Sequence, residues 1–248
     1  MQKNHHYSAM ILYFCQNLHV NKYIPSIITL TGLFCGFMAI ARADYAISPL
    51  LIIISFVCDG LDGFVARLLN TSSEIGKQLD SLSDIVCFGV APAYLYYLMA
   101  PDDSYLCMVV PSVIVLAGAF RLARYNVLTP VNYFRGLPIP SAAFFFVGIV
   151  LAVDNENELI ITYFDNKFLY LITPVIISLL MVTSKIRMFG PKSVTSKFKD
   201  YIFPVLTLII FIISWFLIDW AALSFTILCY VVLSIIYTFM NQKVEVKV

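Results

Sequence analysis

About eight long apolar segments run along this chain of 248 residues, and they restrict the folds open to it. Hydrophobic residues make up 60% of the chain and charged residues only 12%, whereas a soluble domain is about half apolar and about a quarter charged. A helix of about 20 apolar residues crosses a bilayer. We therefore expect an all-α polytopic membrane helix bundle, with residues 1–248 forming one membrane domain. The predicted spans are residues 24–41, 46–69, 82–99, 105–122, 140–153 (the shortest), 160–183, 201–218 and 221–240.

The distribution of positive charge predicts how the bundle is oriented. If the N-terminus is cytoplasmic, all but two of the 16 Lys and Arg residues lie on the cytoplasmic side, and the exceptions are Arg42 and Lys167. An excess of Lys and Arg marks the cytoplasmic loops of membrane proteins. We therefore expect both termini in the cytoplasm, in a multi-pass protein of the cell (inner) membrane. The basic segment 185–199 fits this topology, and contact with anionic lipid head groups is the alternative explanation.

Several classes of protein are disfavoured by the rest of the composition. A net charge of +1 argues against nucleic acid as a partner. The six cysteines form no C-x-x-C pair, and the three histidines all precede the first apolar span, so neither a disulfide framework nor a zinc site is expected. Residues 1–23 lack the pattern of a secretory signal. Within them, residues 7–18 have a weak amphipathic pattern that indicates an N-terminal juxtamembrane helix.

Four aspartates lie where a membrane should exclude charge. Asp59 and Asp62 are near the cytoplasmic end of the second predicted span, and Asp80 and Asp84 are at the start of the third. Spacings of three and four residues place each pair on one face of its helix. Carboxylates this close need a cation, and their oxygens suit Mg²⁺, Mn²⁺ or Ca²⁺ better than zinc or copper. Because Mg²⁺ is usually bound by a few carboxylates together with substrate phosphates, a phosphate ester is the expected substrate.

Small and basic residues accompany these aspartates. Arg67 lies one turn beyond Gly63, and a guanidinium binds phosphate oxygens through two parallel hydrogen bonds. Gly63, Ala66 and Gly76 would let a bulky group approach the backbone, and close helix packing is the alternative explanation for them. A structural salt network, a cation transporter and a non-catalytic lipid-binding scaffold are the rival interpretations of the acidic cluster. The transporter is disfavoured because no other span carries a carboxylate in its middle.

The spacing of these residues resembles a known signature. From Asp59 to Asp84 the chain matches D-x-x-D-G-x-x-A-R-x8-G-x3-D-x3-D without a mismatch, and this pattern is typical of the CDP-alcohol phosphatidyltransferase family. The resemblance implies that Asp59, Asp62 and Asp80 bind one or two divalent cations, Mg²⁺ or Mn²⁺. It implies that Asp84 is a further metal ligand or the catalytic base. The residues that it assigns to CDP-diacylglycerol are Gly63, Ala66, Arg67, Gly76 and, from a P-S-x-x-T stretch similar to the family's P-N-x-x-T, Thr29.

Residues 120–126 and 133–143 narrow the resemblance, since they look like bacterial and archaeal phosphatidylserine synthases. This implies transfer of a phosphatidyl group from CDP-diacylglycerol to L-serine at the cytoplasmic side of the membrane, with release of CMP, by a homodimer. Glycerol 3-phosphate, inositol phosphate and choline are the alternative acceptors. A serine carboxylate needs cationic partners, although a role in topology is the alternative for the arginines. The predicted acceptor residues are Arg121, Arg124, Asn126 and Arg135.

Overall fold

The computed structural model describes residues 20–71, 73–128, 134–189 and 202–245, with side chains from residue 23 to residue 239 within these ranges. The juxtamembrane helix predicted over residues 7–18 lies outside them. The described chain is almost entirely helical. Its helices are α1 (Val20–Arg42), α2 (Ile47–Leu68), α3 (Glu74–Asp84), α4 (Ala91–Leu98), α5 (Tyr105–Val109), α6 (Ser112–Val127), α7 (Ile139–Asp154), α8 (Glu158–Asp165), α9 (Lys167–Val182), α10 (Ile202–Ile218) and α11 (Ala221–Glu245). A π-helical segment (Ile85–Val90) joins α3 to α4, and strands β1 (Phe134–Arg135) and β2 (Arg187–Met188) form a two-stranded ribbon.

Five helical stretches of the described chain are long and apolar enough to cross a membrane, and the bent pair α8–α9 makes up to six. The predicted spans 140–153 and 201–218 do form apolar helices, but α7 and α10 have only 16 and 17 residues. Such helices are about 25 Å long, which is less than the roughly 30 Å hydrocarbon core. The chain is therefore a helical membrane protein with five or six membrane-capable helices, and the count of eight spans stays a prediction. The five stretches are Tyr23–Arg42, Ile47–Leu68, Glu74–Leu98, Tyr105–Val127 and Ala221–Phe239.

The third helical stretch begins at Glu74 and not at the predicted residue 82. Ser73 caps it, because the Ser73 side chain accepts a hydrogen bond from the Gly76 N–H at 3.0 Å. Glu74 adds a negative charge in the first turn, which favours a helix start. The early start places Asp80 and Asp84 in a regular helix, and the helix fixes the direction in which these two side chains point.

The predicted span over residues 160–183 is not one straight helix, and whether it crosses the membrane as a single span stays a prediction. The chain turns by 95° between α8 and α9. Asn166 lies at the turn, and its side-chain oxygen accepts hydrogen bonds from the N–H groups of Phe168 and Leu169 at the start of α9. Beside it, Lys167 donates to Asp102 at 2.7 Å and lowers the pKa of that exposed carboxyl. Averaged hydropathy hid this polar break because apolar residues flank it on both sides.

Close contacts at α1 hold α2 and the π-helical segment together. The Gly32 carbonyl oxygen accepts hydrogen bonds from Ser55 Oγ of α2 at 2.8 Å and from Cys87 Sγ of the π-helical segment at 3.4 Å. A Cβ on Gly36 would lie 2.6 Å from Cys87 Sγ, so glycine permits this approach. The packing brings the end of α2 beside α3, where the two aspartate pairs meet.

Helix α7 forms the centre of the bundle. Most of its residues are buried, and it packs against α4 and α11. A Cβ on Gly148 would lie 2.5 Å from Ser224 Oγ of α11, and that hydroxyl donates to the Phe145 carbonyl oxygen at 2.7 Å. Since other helices surround α7, its 16 residues serve as core rather than as a lipid-facing span.

Candidate active site

Three carboxylates converge from α2 and α3. Asp59, Asp62 and Asp80 each offer an oxygen, and these atoms all lie within 4.8 Å of one another. Asp62 is 6% exposed and accepts a hydrogen bond from the Thr29 hydroxyl of α1. Three oxygen donors at this separation fit a hard divalent cation, because hydrogen bonding to one hydroxyl does not offset three neighbouring negative charges.

Asp84 lies one helical turn beyond Asp80 and interacts with Asp59. It does not belong to the group of three close carboxylates. Instead it lines a second cavity on the side of α3 that faces α6. The arrangement suits Asp84 to a reacting group better than to a shared ligand, and both of its predicted roles stay predictions.

The first cavity, of about 340 Å³, is lined by every residue that the family resemblance assigned to CDP-diacylglycerol. A Cβ on Gly63 would meet no atom within 4 Å, so helix packing does not explain this glycine. The open space beside it is the cavity itself. The lining residues that were predicted are Thr29, Gly63, Ala66, Arg67 and Gly76, together with Asp59, Asp62 and Asp80.

The second cavity, of about 280 Å³, adjoins the first and shares Asp59, Lys77 and Asp80 with it. It runs from α3 to the end of α6 and to the start of α7. Two substrates bound in the two cavities would therefore meet at the carboxylate cluster. Its other lining residues are Ser81, Asp84, Arg121, Leu122, Tyr125, Asn126, Phe134, Pro138, Ile139 and Pro140.

Arg121 is the buried cation of the second cavity. Its side chain is only 7% exposed, and its Nε has no hydrogen-bond partner among the described residues. Asp84 lines the same cavity and interacts with Arg121 electrostatically. A buried guanidinium with an unused donor is costly unless a ligand completes its hydrogen bonds. The position of Arg121 thus favours an anionic ligand in this cavity.

The structure separates the other predicted acceptor residues. Asn126 lines the second cavity and donates from Nδ2 to Ser81 Oγ at 2.9 Å. Arg124 does not line it, because its Nη1 donates to the Val182 carbonyl oxygen at 2.6 Å and its Nη2 donates to the Arg135 carbonyl oxygen at 3.5 Å. Arg135 belongs to β1 and is likewise absent from the cavity lining.

Sequence reasoning missed Lys77 as a site residue. It lines both cavities, and its Nζ donates to the Asn126 carbonyl oxygen at 3.4 Å. The available signal was its place beside Gly76 and three residues before Asp80, on the face of α3 that carries the aspartates. Phe134 and Pro138 were also missed, since nothing local indicates that their segment folds back over α6.

The sequence model of the CDP-alcohol phosphatidyltransferase family matches residues 22–183, which include both cavities. This chain belongs to the CDP-alcohol phosphatidyltransferase family. Members of the family depend on divalent cations, and Asp59, Asp62 and Asp80 are the group that could hold one here.

Named relatives of this chain include bacterial and archaeal proteins. A CDP-diacylglycerol–serine O-phosphatidyltransferase of Helicobacter pylori is 36% identical over 191 residues, which cover 74% of this chain and 79% of the relative. A protein of the same name from Methanocaldococcus jannaschii is 39% identical over 160 residues, or 64% of this chain and 71% of the relative. An archaetidylserine synthase of Methanothermobacter thermautotrophicus is 40% identical over 126 residues, which cover 48% of this chain and 54% of the relative.

Proposed function

We propose that this protein transfers the phosphatidyl group from CDP-diacylglycerol to L-serine, giving phosphatidylserine and CMP. The observation that carries the proposal is the pair of adjoining cavities, one lined by the family motif and the other by Asp84 and the buried Arg121. The printed names of the relatives, which include serine, support the same acceptor.

The nucleotide head of CDP-diacylglycerol occupies the first cavity in this proposal, with the acyl chains between helices. Gly63, Ala66 and Gly76 leave room for it, and Arg67 donates to the diphosphate oxygens. Asp59, Asp62 and Asp80 would hold Mg²⁺ or Mn²⁺, which when bound supplies neutralisation of the diphosphate charge.

Serine occupies the second cavity, where Arg121 binds its carboxylate and Asp84 takes the proton from its hydroxyl. The hydroxyl oxygen then forms a bond to the phosphorus that carries diacylglycerol. The bond from that phosphorus to the oxygen bridging the diphosphate breaks, and CMP leaves with this oxygen. Catalysis comes from positioning and from charge stabilisation, and no covalent enzyme intermediate is required.

The proposal also includes the location and the assembly of the enzyme. The site lies at the end of the bundle that carries Arg67, Lys77, Arg121 and Arg124, which the charge distribution predicts to be cytoplasmic in a multi-pass inner-membrane protein. A homodimer, implied by the family resemblance, would be detected as a doubled mass of the purified protein in detergent.

The decisive experiment supplies purified protein with CDP-diacylglycerol and one radiolabelled acceptor at a time. We expect CMP release and labelled lipid with L-serine, only when Mg²⁺ or Mn²⁺ is present. Faster labelling with glycerol 3-phosphate, inositol phosphate or choline would reject serine as the acceptor. Ion flux across vesicles without CMP release would favour the rival cation transporter.

A further inference from the structure

The β1–β2 ribbon forms one wall of the second cavity. Phe134 of β1 lines this cavity, and so does Pro138, which follows the strand. The strands are antiparallel, with Phe134 opposite Met188 and Arg135 opposite Arg187. The position of the cavity wall therefore depends on what holds β2.

Backbone contacts with the end of α9 fix one side of the ribbon. Gly136 has φ +71°, and a Cβ there would lie 2.5 Å from the Thr183 carbonyl oxygen. The Gly136 N–H donates to the Ile186 carbonyl oxygen at 3.0 Å, and the Leu137 N–H donates to the Leu180 carbonyl oxygen at 2.9 Å. These contacts leave the outer edge of β2 to be satisfied from elsewhere.

Helix α11 supplies that support. Thr238 is buried, and its hydroxyl accepts a hydrogen bond from the Arg187 N–H at 2.9 Å. The same oxygen lies 3.2 Å from the Arg187 carbonyl oxygen and 2.8 Å from that of Ser234, either of which can take its proton. Just beyond β2, Tyr230 donates to the Phe189 carbonyl oxygen at 2.7 Å. Two side chains of α11 thus satisfy backbone groups that an edge strand would otherwise leave unpaired.

We propose that α11 is a positioning element for the acceptor cavity and that Thr238 is its main positioning residue. Thr238 holds β2, β2 pairs with β1, and β1 forms the wall beside Arg121. This inference rests on the proposed function, and it extends the acceptor site to a helix beyond residue 183, where the family match ends. Among the described residues, those that line the first cavity run from Pro25 to Asp80, and none belongs to α11.

The test compares Thr238→Val and Thr238→Ser in the full-length enzyme. Valine has the shape of threonine but leaves the Arg187 N–H unpaired, so we expect the KM for serine to rise about tenfold. The KM for CDP-diacylglycerol should stay within about twofold of the wild-type value, because α11 contributes none of the described residues that line the first cavity. A uniform loss of folded protein would lower kcat and change neither KM. Serine at position 238 keeps the hydroxyl and should restore the KM for the acceptor.

Thr207→Val is the matched control, because the Thr207 hydroxyl donates only within its own helix, to the Phe203 carbonyl oxygen. It should change neither KM. Thr238→Ala removes the same hydroxyl without adding bulk and should also raise the KM for serine alone, which settles the test if Thr238→Val does not fold. Equal changes in both KM values, an unchanged KM for serine, or no restoration by Thr238→Ser would overturn the inference. Absence of transfer by the wild-type enzyme would instead overturn the proposed function.

Discussion

Gly63 and Gly148 are helical glycines with opposite surroundings. A Cβ on Gly63 would enter the first cavity without meeting an atom within 4 Å, whereas one on Gly148 would lie 2.5 Å from Ser224 Oγ and 2.7 Å from Ser224 N. We predict that Gly63→Ala raises the KM for CDP-diacylglycerol several-fold. Its free energy of unfolding should be unchanged or up to about 1 kcal/mol higher, because alanine favours the helix. Gly148→Ala should lose about 1–3 kcal/mol through overpacking.

Thermal unfolding and initial-rate kinetics on the two glycine variants separate these effects. Gly63→Ala should be at least as stable as the wild type, and Gly148→Ala should be less stable. A loss of stability in Gly63→Ala equal to that in Gly148→Ala would mean that Gly63 serves helix packing.

Asp84 is the residue that we expect to accept the serine proton. Asp84→Asn keeps the shape of the side chain but removes its basic oxygen, so kcat should fall by about 10² to 10⁴. The KM for CDP-diacylglycerol should change little, because Asp84 does not line the first cavity. Asp103→Asn, in an exposed loop, is the control and should keep full activity. Near-normal transfer by a folded Asp84→Asn protein would rule out its role as the base.

Arg121 should determine the preference for an acceptor that carries a carboxylate. A hydrogen-bonded charge pair is worth about 1.5–3 kcal/mol, so Arg121→Gln should raise the KM for serine by roughly 10- to 100-fold. Ethanolamine lacks the carboxylate, and its use should not decline in the variant. The measurement is the ratio of kcat/KM for the two acceptors. Arg42 lies at the end of α1 that is remote from the two cavities, so Arg42→Gln should leave this ratio unchanged.

At the scale of the elements, local patterns predicted the helices and the first cavity. The fixed spacing from Asp59 to Asp84 lies within two adjacent helices, so helical periodicity was enough to place both aspartate pairs on facing sides. The second cavity could not be predicted in this way. Arg121 and Arg124 are three residues apart, yet only Arg121 lines the cavity, because Arg124 is held by the distant Val182 carbonyl.

The ribbon and the break between α8 and α9 escaped prediction for a similar reason. Two-residue strands leave no periodic pattern, and β1 is paired by a segment about 50 residues away in the chain. The break depends on the side chain of Asn166, which a hydropathy average treats as one polar residue in an apolar run.

Asn166 gives a prediction at this scale. Its side-chain oxygen caps α9 by accepting from the Phe168 N–H at 3.0 Å. Asn166→Ala should therefore lower the free energy of unfolding by about 1 kcal/mol, whereas Asn166→Asp keeps an acceptor oxygen and should retain most of the stability. Denaturant unfolding in detergent measures both. Equal stability of the alanine and aspartate variants would show that the cap does not maintain the bend.

For the whole molecule, the proposed chemistry is confined to one end of the bundle. The end of α2, the start of α3 and the end of α6 meet there, together with the ribbon. The Asp102–Lys167 ion pair joins the loop after α4 to the first residue of α9, at positions that the charge distribution assigns to the other side. A water-soluble acceptor such as serine would therefore enter from one compartment only.

Cysteine labelling of intact cells tests this orientation. In a variant with the native cysteines replaced, Gln78→Cys introduces a thiol on an exposed position of α3, and Asp103→Cys introduces one in the exposed loop after α4. A membrane-impermeant maleimide should label residue 103 in intact cells and residue 78 only after the membrane is opened, because positive loops stay in the cytoplasm. Labelling of residue 78 from outside, with residue 103 protected, would place the carboxylate cluster on the opposite face and separate the enzyme from cytoplasmic serine.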